Sequence, residues 1–100
     1  MPAQYEIRYL RTAECDLYGI LDYISRDNPS AAESWLKKID DSISLLGSNP
    51  YLGRIPKDIH LANKGYRMLV VDKYLVFYII KEKTIQIRRI LHGARKYNFL

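Results

Sequence analysis

Two segments in the first half of the chain have the hydrophobic spacing of amphipathic helices. The first has apolar residues at i, i+3, i+4 and i+7, namely Leu17, Ile20, Leu21 and Ile24. The second keeps this period over Ala32, Trp35, Leu36, Ile39, Ile43 and Leu46. Between them, Asn28 and Pro29 form a helix cap and a first-turn proline, which indicates that the first helix ends near Asp27. The pattern therefore predicts an antiparallel helical hairpin.

The outer ends of this hairpin also carry terminal signals. Thr12 is the predicted N-cap of the first helix, and we expect Glu14 and Asp16 in its first turn, where the helix dipole favours carboxylates. Gly47 follows the second apolar stripe and is predicted to take the left-handed C′ position that often ends a helix.

Strand patterns flank the hairpin on both sides. Residues 5–9 alternate apolar and polar positions, which is the period of a half-buried strand. From Gly47 to Gly65 the chain is rich in turn residues and reads as a long surface connection with possible short strand or turn pieces. A connection of this length in a small domain is often functional.

Three consecutive strands are predicted after this connection. The first two are residues 66–71 and 74–80, and tight turns at Asp72-Lys73 and Glu82-Lys83 make the three strands an antiparallel meander. Residues 74–80 show no polar alternation, which predicts a strand that is covered on both faces.

The last strand needs an irregularity to keep its apolar residues on one side. Ile85 and Ile87 share a face, but the next residue of that face would be Arg89, whereas Ile90 would point to the other. A β-bulge near Arg88 and Arg89 would restore the pattern and re-aim a basic side chain.

The element order is therefore strand, helix, helix, long connection and three strands. This order predicts an α+β fold, in which the helical hairpin packs on one face of an antiparallel sheet. With 100 residues, the chain has the size of a single domain that spans residues 1–100.

Composition argues against a membrane protein, an exported protein and a metalloprotein. No apolar run reaches the roughly 20 residues of a membrane span, and residues 1–6 lack the pattern of a signal peptide, so we expect a cytoplasmic protein without a membrane partner. Cys15 is the only cysteine, and His60 and His92 are the only histidines. We therefore predict neither a metal site nor a cofactor.

Basic residues concentrate in the second half. Residues 1–50 contain 5 Lys or Arg against 8 Asp or Glu, whereas residues 51–100 contain 11 against 3. Such an asymmetry favours an acidic partner, either nucleic acid or protein. The densest group is predicted to bind a target or a phosphate and contains Arg88, Arg89, His92, Arg95, Lys96 and Tyr97.

Several short motifs together resemble the RelE/ParE superfamily of bacterial toxins. They are the hairpin with its Asp27-Asn28-Pro29 turn, the Asn49-Pro50-Tyr-Leu-Gly53-Arg54 piece, Tyr66-Arg67, and Ile90-Leu91-His92-Gly93-Ala94-Arg95. The resemblance implies the toxin half of a type II toxin–antitoxin module, of the kind associated with plasmid stabilisation and growth inhibition. It also implies a cognate antitoxin, which we expect to fill an apolar groove beside the basic cluster.

The superfamily has two well-known activities, and the resemblance is closer to the ParE-like branch. ParE-like members block DNA gyrase, which requires a binding face and no covalent chemistry. RelE-like members cut mRNA on the ribosome without a metal, and for this alternative Arg67 and Arg95 would clamp the phosphate while His92 or Tyr97 transfers protons. Target binding in either case would use Arg67, Arg88, Arg89, Arg95 and Lys96.

A third hypothesis is a partner-binding module that has lost toxicity.

Two of the candidate site residues also have simpler structural explanations. Arg67 could pair with a neighbour across the sheet face, and His92 could bond the backbone at a strand end.

Overall fold

The computed structural model describes residues 4–94 and residue 100, and its elements follow the predicted order. They are β1 (Glu6–Tyr9), α1 (Arg11–Asp27), α2 (Pro29–Ser44), α3 (Ile59–Asn63), β2 (Tyr66–Val71), β3 (Tyr74–Lys81) and β4 (Thr84–His92). The α+β prediction is confirmed. The short α3 was not anticipated; the Asp58 carboxylate caps it by accepting hydrogen bonds from the backbone N–H groups of His60 and Leu61.

The four strands form one sheet in the order β1-β4-β3-β2. The last three strands make the predicted antiparallel meander, and their tight turns place Asp72 and Glu82 at positive φ, at 55° and 57°. The first strand pairs parallel to the last one, with Ile7 opposite Ile85. This arrangement puts β3 and β4 at the centre of the sheet.

Apolar side chains cover both faces of β3, as its sequence predicts. Val76 and Tyr78 face the helical hairpin and belong to the main hydrophobic cluster, whereas Phe77 faces the opposite side. A second, smaller cluster there is formed by Leu61, Tyr66, Met68, Phe77 and Leu91. The short α3 contributes Leu61 to it, so part of the long connection acts as a cover for the second face.

The start of α1 differs from the prediction. The helix begins at Arg11, and its N-cap residue is Leu10, whose side chain has no atom that can accept a hydrogen bond. The N–H of Leu10 donates to the carbonyl oxygen of Ile87 in β4. The Thr12 hydroxyl donates instead to the carbonyl oxygen of Arg88, 3.0 Å away. With the helix starting earlier, Glu14 lies in its first turn and Asp16 does not.

At the hairpin turn the prediction is confirmed: the Asn28 side chain accepts a hydrogen bond from the Ala31 N–H, and Pro29 opens α2. The prediction for Gly47 was wrong. A 3₁₀ turn, Leu45–Gly47, continues the helix, and Gly47 does not have a positive φ. Its lack of a side chain serves a close approach, because a Cβ there would overlap the side chain of Gln4.

The half-buried hydroxyl of Tyr9 predicts a loss of stability at high pH. Burial, with a smaller contribution from Asp40, raises the pKa of Tyr9 to about 12 from its ordinary value of 10.0. The folded protein therefore holds this proton more tightly than the unfolded chain, and its contribution to stability is present below pH 10 and lost as the pH rises toward 12. We expect Tyr9→Phe to lose less stability than the wild type between pH 9 and 11.5 in urea titrations.

Candidate functional site

Arg67 of β2 binds the connection that precedes it. Its Nη1 donates to the carbonyl oxygen of Gly53 at 2.7 Å and, at the longer distance of 3.5 Å, to that of Tyr51. The guanidinium carbon also lies 4.9 Å from the centre of the Tyr51 ring, which is a cation–π geometry. The side chain predicted to clamp a phosphate thus holds a loop of its own chain.

Tyr78 of β3 binds the same loop through its side-chain hydroxyl. Its hydroxyl, fully buried and directly opposite Arg67 in the sheet, donates to the carbonyl oxygen of Pro50 and accepts from the N–H of Gly53, both at 2.8 Å. Burial raises the pKa of Tyr78, while the Gly53 hydrogen bond and the Arg67 charge act in the opposite direction. We call residues 50–54 the clamped loop.

The far end of the clamped loop is tied to the edge of the sheet. Arg54 forms an isolated antiparallel bridge with Met68, in which each residue donates its N–H to the other's carbonyl oxygen at 3.0 and 2.8 Å. This bridge is the short strand piece that the sequence suggested for the connection. With bonds to Tyr78, Arg67 and Met68, the loop backbone is fixed along its length.

The β-bulge predicted in β4 is present at Arg88. Phe77 pairs with Arg89 and Tyr78 pairs with Ile87, so Arg88 is the extra residue on its strand. The bulge returns Ile90 to the face of the helical hairpin, where it joins the main cluster. The Arg88 guanidinium, in contrast, is 5.8 Å from the centre of the Tyr66 ring, which belongs to the second face.

Arg89 points to α1 and forms an ion pair with Asp16. Its Nε and Nη2 donate to the two carboxylate oxygens at 2.7 and 3.0 Å, and the backbone N–H of Ile90 donates to the same carboxylate at 3.0 Å. Both side chains are largely buried, with 21% and 13% exposed. The hydrogen bonds from Arg89 to Asp16 raise the pKa of the Arg89 guanidinium.

His92 lies at the exposed end of β4. Its Nδ1 accepts a hydrogen bond from the backbone N–H of Ala94 at 3.0 Å, and its ring meets the Tyr74 ring edge-on at 5.4 Å between centres. The structural role considered for this histidine, a backbone bond at a strand end, is therefore present.

A groove runs between α1 and the ends of β3 and β4. It has a volume of about 450 Å³ and is lined mainly by Cys15, Asp16, Ile20, Tyr23, Tyr74, Ile90 and His92. Tyr23 is largely exposed at its rim. His92 and Asp16, the partner of Arg89, both line the groove. The expected occupation of such a groove by an antitoxin stays a prediction.

The predicted cluster is therefore only partly assembled among the described residues. Arg89 bonds to Asp16 of α1, His92 lines the groove, and Arg67 bonds to the clamped loop. Arg88 lies over the Tyr66 ring. Arg95, Lys96 and Tyr97 fall outside the described residues, and their predicted roles stay predictions.

Sequence patterns did not indicate three residues of this region. The sequence pattern places Asp16 in the first turn of a helix, Tyr78 in an apolar strand and Gly53 in a connection rich in turn residues. The signal that could have found Tyr78 is a hydroxyl in a strand predicted to be covered on both faces, because such a group needs a buried hydrogen-bond partner.

The described ranges, 4–94 and 100, lack both a cluster of metal ligands and a membrane-spanning helix. No three side chains of His, Cys, Asp or Glu gather there into a group that could hold a metal ion. Within the same ranges, no helix has the length and apolar character needed to cross a membrane.

Residues 7–97 match the family model for the ParE toxin of the type II toxin-antitoxin system, parDE. The chain belongs to the ParE toxin family. This toxin is similar in sequence to Toxin RelE2 of Caulobacter vibrioides, with 32% identity over 84 residues, which are 83% of this chain and 89% of that protein.

Solved structures of toxin–antitoxin systems have the same fold as this toxin. The chromosomal ParDE system of P. aeruginosa superposes with a TM-score of 0.73 at 25% identity, over 90% of this chain and 97% of that one. The RelBE2 complex of Mycobacterium tuberculosis gives 0.63 at 22% identity, over 89% and 98% of the two chains. The chain is thus the toxin component of a type II toxin–antitoxin module, as the sequence motifs implied.

Proposed function

We propose that this toxin arrests growth by binding DNA gyrase and inhibiting it without covalent chemistry. The observation that carries the proposal is the separation of the candidate catalytic side chains. Arg67 is bonded to Gly53, and the Nδ1 of His92 accepts a bond from Ala94 at the end of a different strand. A binding face tolerates such a distribution, because each contact acts independently on the partner.

Cleavage of mRNA would make a stricter demand on geometry. A base, an acid and cations must surround one phosphate so that charge and protons are handled in a single transition state. The Nη1 of Arg67 donates to the clamped loop, and the Arg89 guanidinium is bonded to a carboxylate. These contacts favour binding over phosphate chemistry among the described residues.

Similarity adds support in the same direction. The matching family model is that of ParE toxins, and the ParDE system of P. aeruginosa superposes better than RelBE2. The second candidate is a RelE-like, metal-independent mRNA endoribonuclease. It is favoured by the 32% identity to Toxin RelE2 and would use Arg95 and Tyr97, which lie outside the described residues.

We further propose that a cognate antitoxin neutralises the toxin by occupying the groove along α1. The two similar structures are toxin–antitoxin systems, and the groove offers apolar surface with an exposed tyrosine at its rim. An amphipathic segment laid into a groove is a common way to cover such a surface. Both partners would be met in the cytoplasm.

The deciding experiment has two parts. The toxin is expressed inducibly without its antitoxin, and mRNA integrity on translating ribosomes is followed during growth arrest. Purified toxin is also added to purified gyrase, and supercoiling is measured. We expect gyrase inhibition at toxin concentrations near those of the enzyme, intact mRNA, and relief of the inhibition when antitoxin is added first.

Each alternative has its own signature in these assays. Cleavage within reading frames with normal supercoiling would replace the proposal by the endoribonuclease. Stable antitoxin binding without growth arrest, gyrase inhibition or mRNA cleavage would indicate the module that has lost toxicity.

A further inference from the structure

The clamped loop presents apolar side chains to solvent from a fixed backbone. Tyr51 is 64% exposed and Leu52 51% exposed, and Ile55, the next residue after the loop, is 56% exposed. The backbone between these side chains is held by Arg67, Tyr78 and the Arg54–Met68 bridge, as described above. Three large apolar side chains thus stand outside the core on a segment that is not free to turn them inward.

Such an arrangement suits a binding surface. Loops lose entropy when they are ordered on binding, and a loop that is already fixed avoids this cost. Tyrosine and arginine are the residues that most often dominate interface energies, and here the Arg67 guanidinium supports the Tyr51 ring at 4.9 Å. The loop is therefore prepared for contact before a partner arrives.

The charge around the loop indicates the chemistry of the partner. Residues 50–67 contain four cations, Arg54, Lys57, Lys64 and Arg67, against the single carboxylate of Asp58. That carboxylate is used to cap α3. An apolar contact on a segment with this excess of positive charge fits a protein surface with an apolar depression and a rim of carboxylates.

We infer that the clamped loop, through Tyr51, Leu52, Arg54 and the adjoining Ile55, is the surface that binds the toxin's target, an acidic face of gyrase. This inference rests on the proposed function and adds the location and character of the contact. Arg67 and Tyr78 are positioning residues, because they act on the target only through the loop that they hold.

The opposite charge of the helical hairpin separates this surface from the antitoxin groove. Residues 11–44 contain four cations against seven carboxylates, so the hairpin is acidic where the loop is basic. An acidic partner would be attracted to the basic loop and repelled by the acidic hairpin. The two surfaces are therefore assigned to different proteins, the target on the loop and the antitoxin along α1.

The test compares a loop variant with a matched helix variant. Tyr51→Ala/Leu52→Ala removes two exposed side chains of the loop, and Tyr18→Ala/Leu36→Ala removes the same residue types, 65% and 40% exposed, from the helical hairpin. Purified variants are assayed for melting temperature, for binding to the antitoxin expressed beside the toxin, and for inhibition of gyrase supercoiling. Growth arrest is scored in parallel.

We expect the loop variant to need about tenfold or more toxin for half-inhibition, with melting temperature and antitoxin binding close to wild type. The helix variant should inhibit gyrase as the wild type does. A positioning role predicts that Arg67→Lys also weakens inhibition, because a lysine ammonium lacks the planar guanidinium that lies over the Tyr51 ring while its Nη1 bonds to the Gly53 carbonyl oxygen.

Other outcomes overturn the inference in distinguishable ways. Undiminished gyrase inhibition by the loop variant would exclude the loop as the target surface while leaving the gyrase proposal intact. Loss of antitoxin binding by the loop variant would assign the surface to the antitoxin. If the wild type does not act on gyrase, the proposed function fails; the loop then remains a target surface only if its variant, and not the helix variant, abolishes growth arrest.

Discussion

Replacement of Asp16 by alanine is expected to destabilise the toxin by about 3 kcal/mol, near the lower end of the range for removing one partner of a buried ion pair. The carboxylate accepts two bonds from Arg89 and one from the Ile90 N–H. Its loss leaves a largely buried guanidinium without this counter-charge and a strand N–H without its acceptor. In a domain of this size the melting temperature should fall by roughly 12 to 24 °C in calorimetry.

Asp22→Ala is the matched control. Asp22 lies in the same helix and also pairs with an arginine, Arg26, but both side chains are more than half exposed, so its removal should cost only about 0.5 kcal/mol. Asp16→Ala/Arg89→Met should be more stable than Asp16→Ala alone, because the buried charge is removed with its partner. Similar melting temperatures for Asp16→Ala and Asp22→Ala would contradict the assignment.

Gly53→Ala is expected to dislodge the clamped loop. A Cβ at this position would lie 2.6 Å from the hydroxyl oxygen and 2.7 Å from a ring carbon of Tyr78, and 3.0 Å from the Met68 carbonyl oxygen. Tyr78 is fully buried and Met68 is held in its bridge, so neither moves away easily. Overpacking and weakened hydrogen bonds should together cost about 3 kcal/mol, and growth arrest should be lost with the loop geometry.

Gly19→Ala tests whether the effect is specific to the loop. A Cβ at Gly19 would meet nothing within 4 Å, and the residue is exposed in the interior of α1, so alanine should stabilise the helix by up to about 1 kcal/mol. Urea unfolding of both variants measures the difference. The steric argument would be wrong if Gly53→Ala unfolded at the wild-type urea concentration.

Local sequence signals predicted most of the fold because they depend on near neighbours. The Asn28-Pro29 turn, the two helical stripes and the tight turns at Asp72 and Glu82 were all found where the sequence placed them. The bulge at Arg88 followed from the phase of the isoleucines in β4. The parallel pairing of β1 with β4 was not predicted, since no local pattern states which strand lies beside an edge strand.

The candidate site was harder to predict because a strand pattern does not state which distant groups a basic side chain meets. Arg88 lies over the Tyr66 ring, whereas the adjacent Arg89 bonds to Asp16 on α1. The partners that decide these positions come from distant parts of the chain. Arg67 is a similar case, because its carbonyl partners lie in a connection whose backbone path the sequence does not specify.

The pairing of β1 with β4 has a consequence for the toxin during its own synthesis. Among the described residues, β1 has β4 as its neighbour in the sheet, with Glu6 opposite Thr84, so this pair can form only after β4 has left the ribosome. A nascent chain that still lacks β4 also lacks the groove wall and the ion pair that β4 provides. The groove that we propose for the antitoxin is therefore complete only once β4 has been synthesised, so the antitoxin meets this site on the assembled sheet and not on a shorter nascent chain.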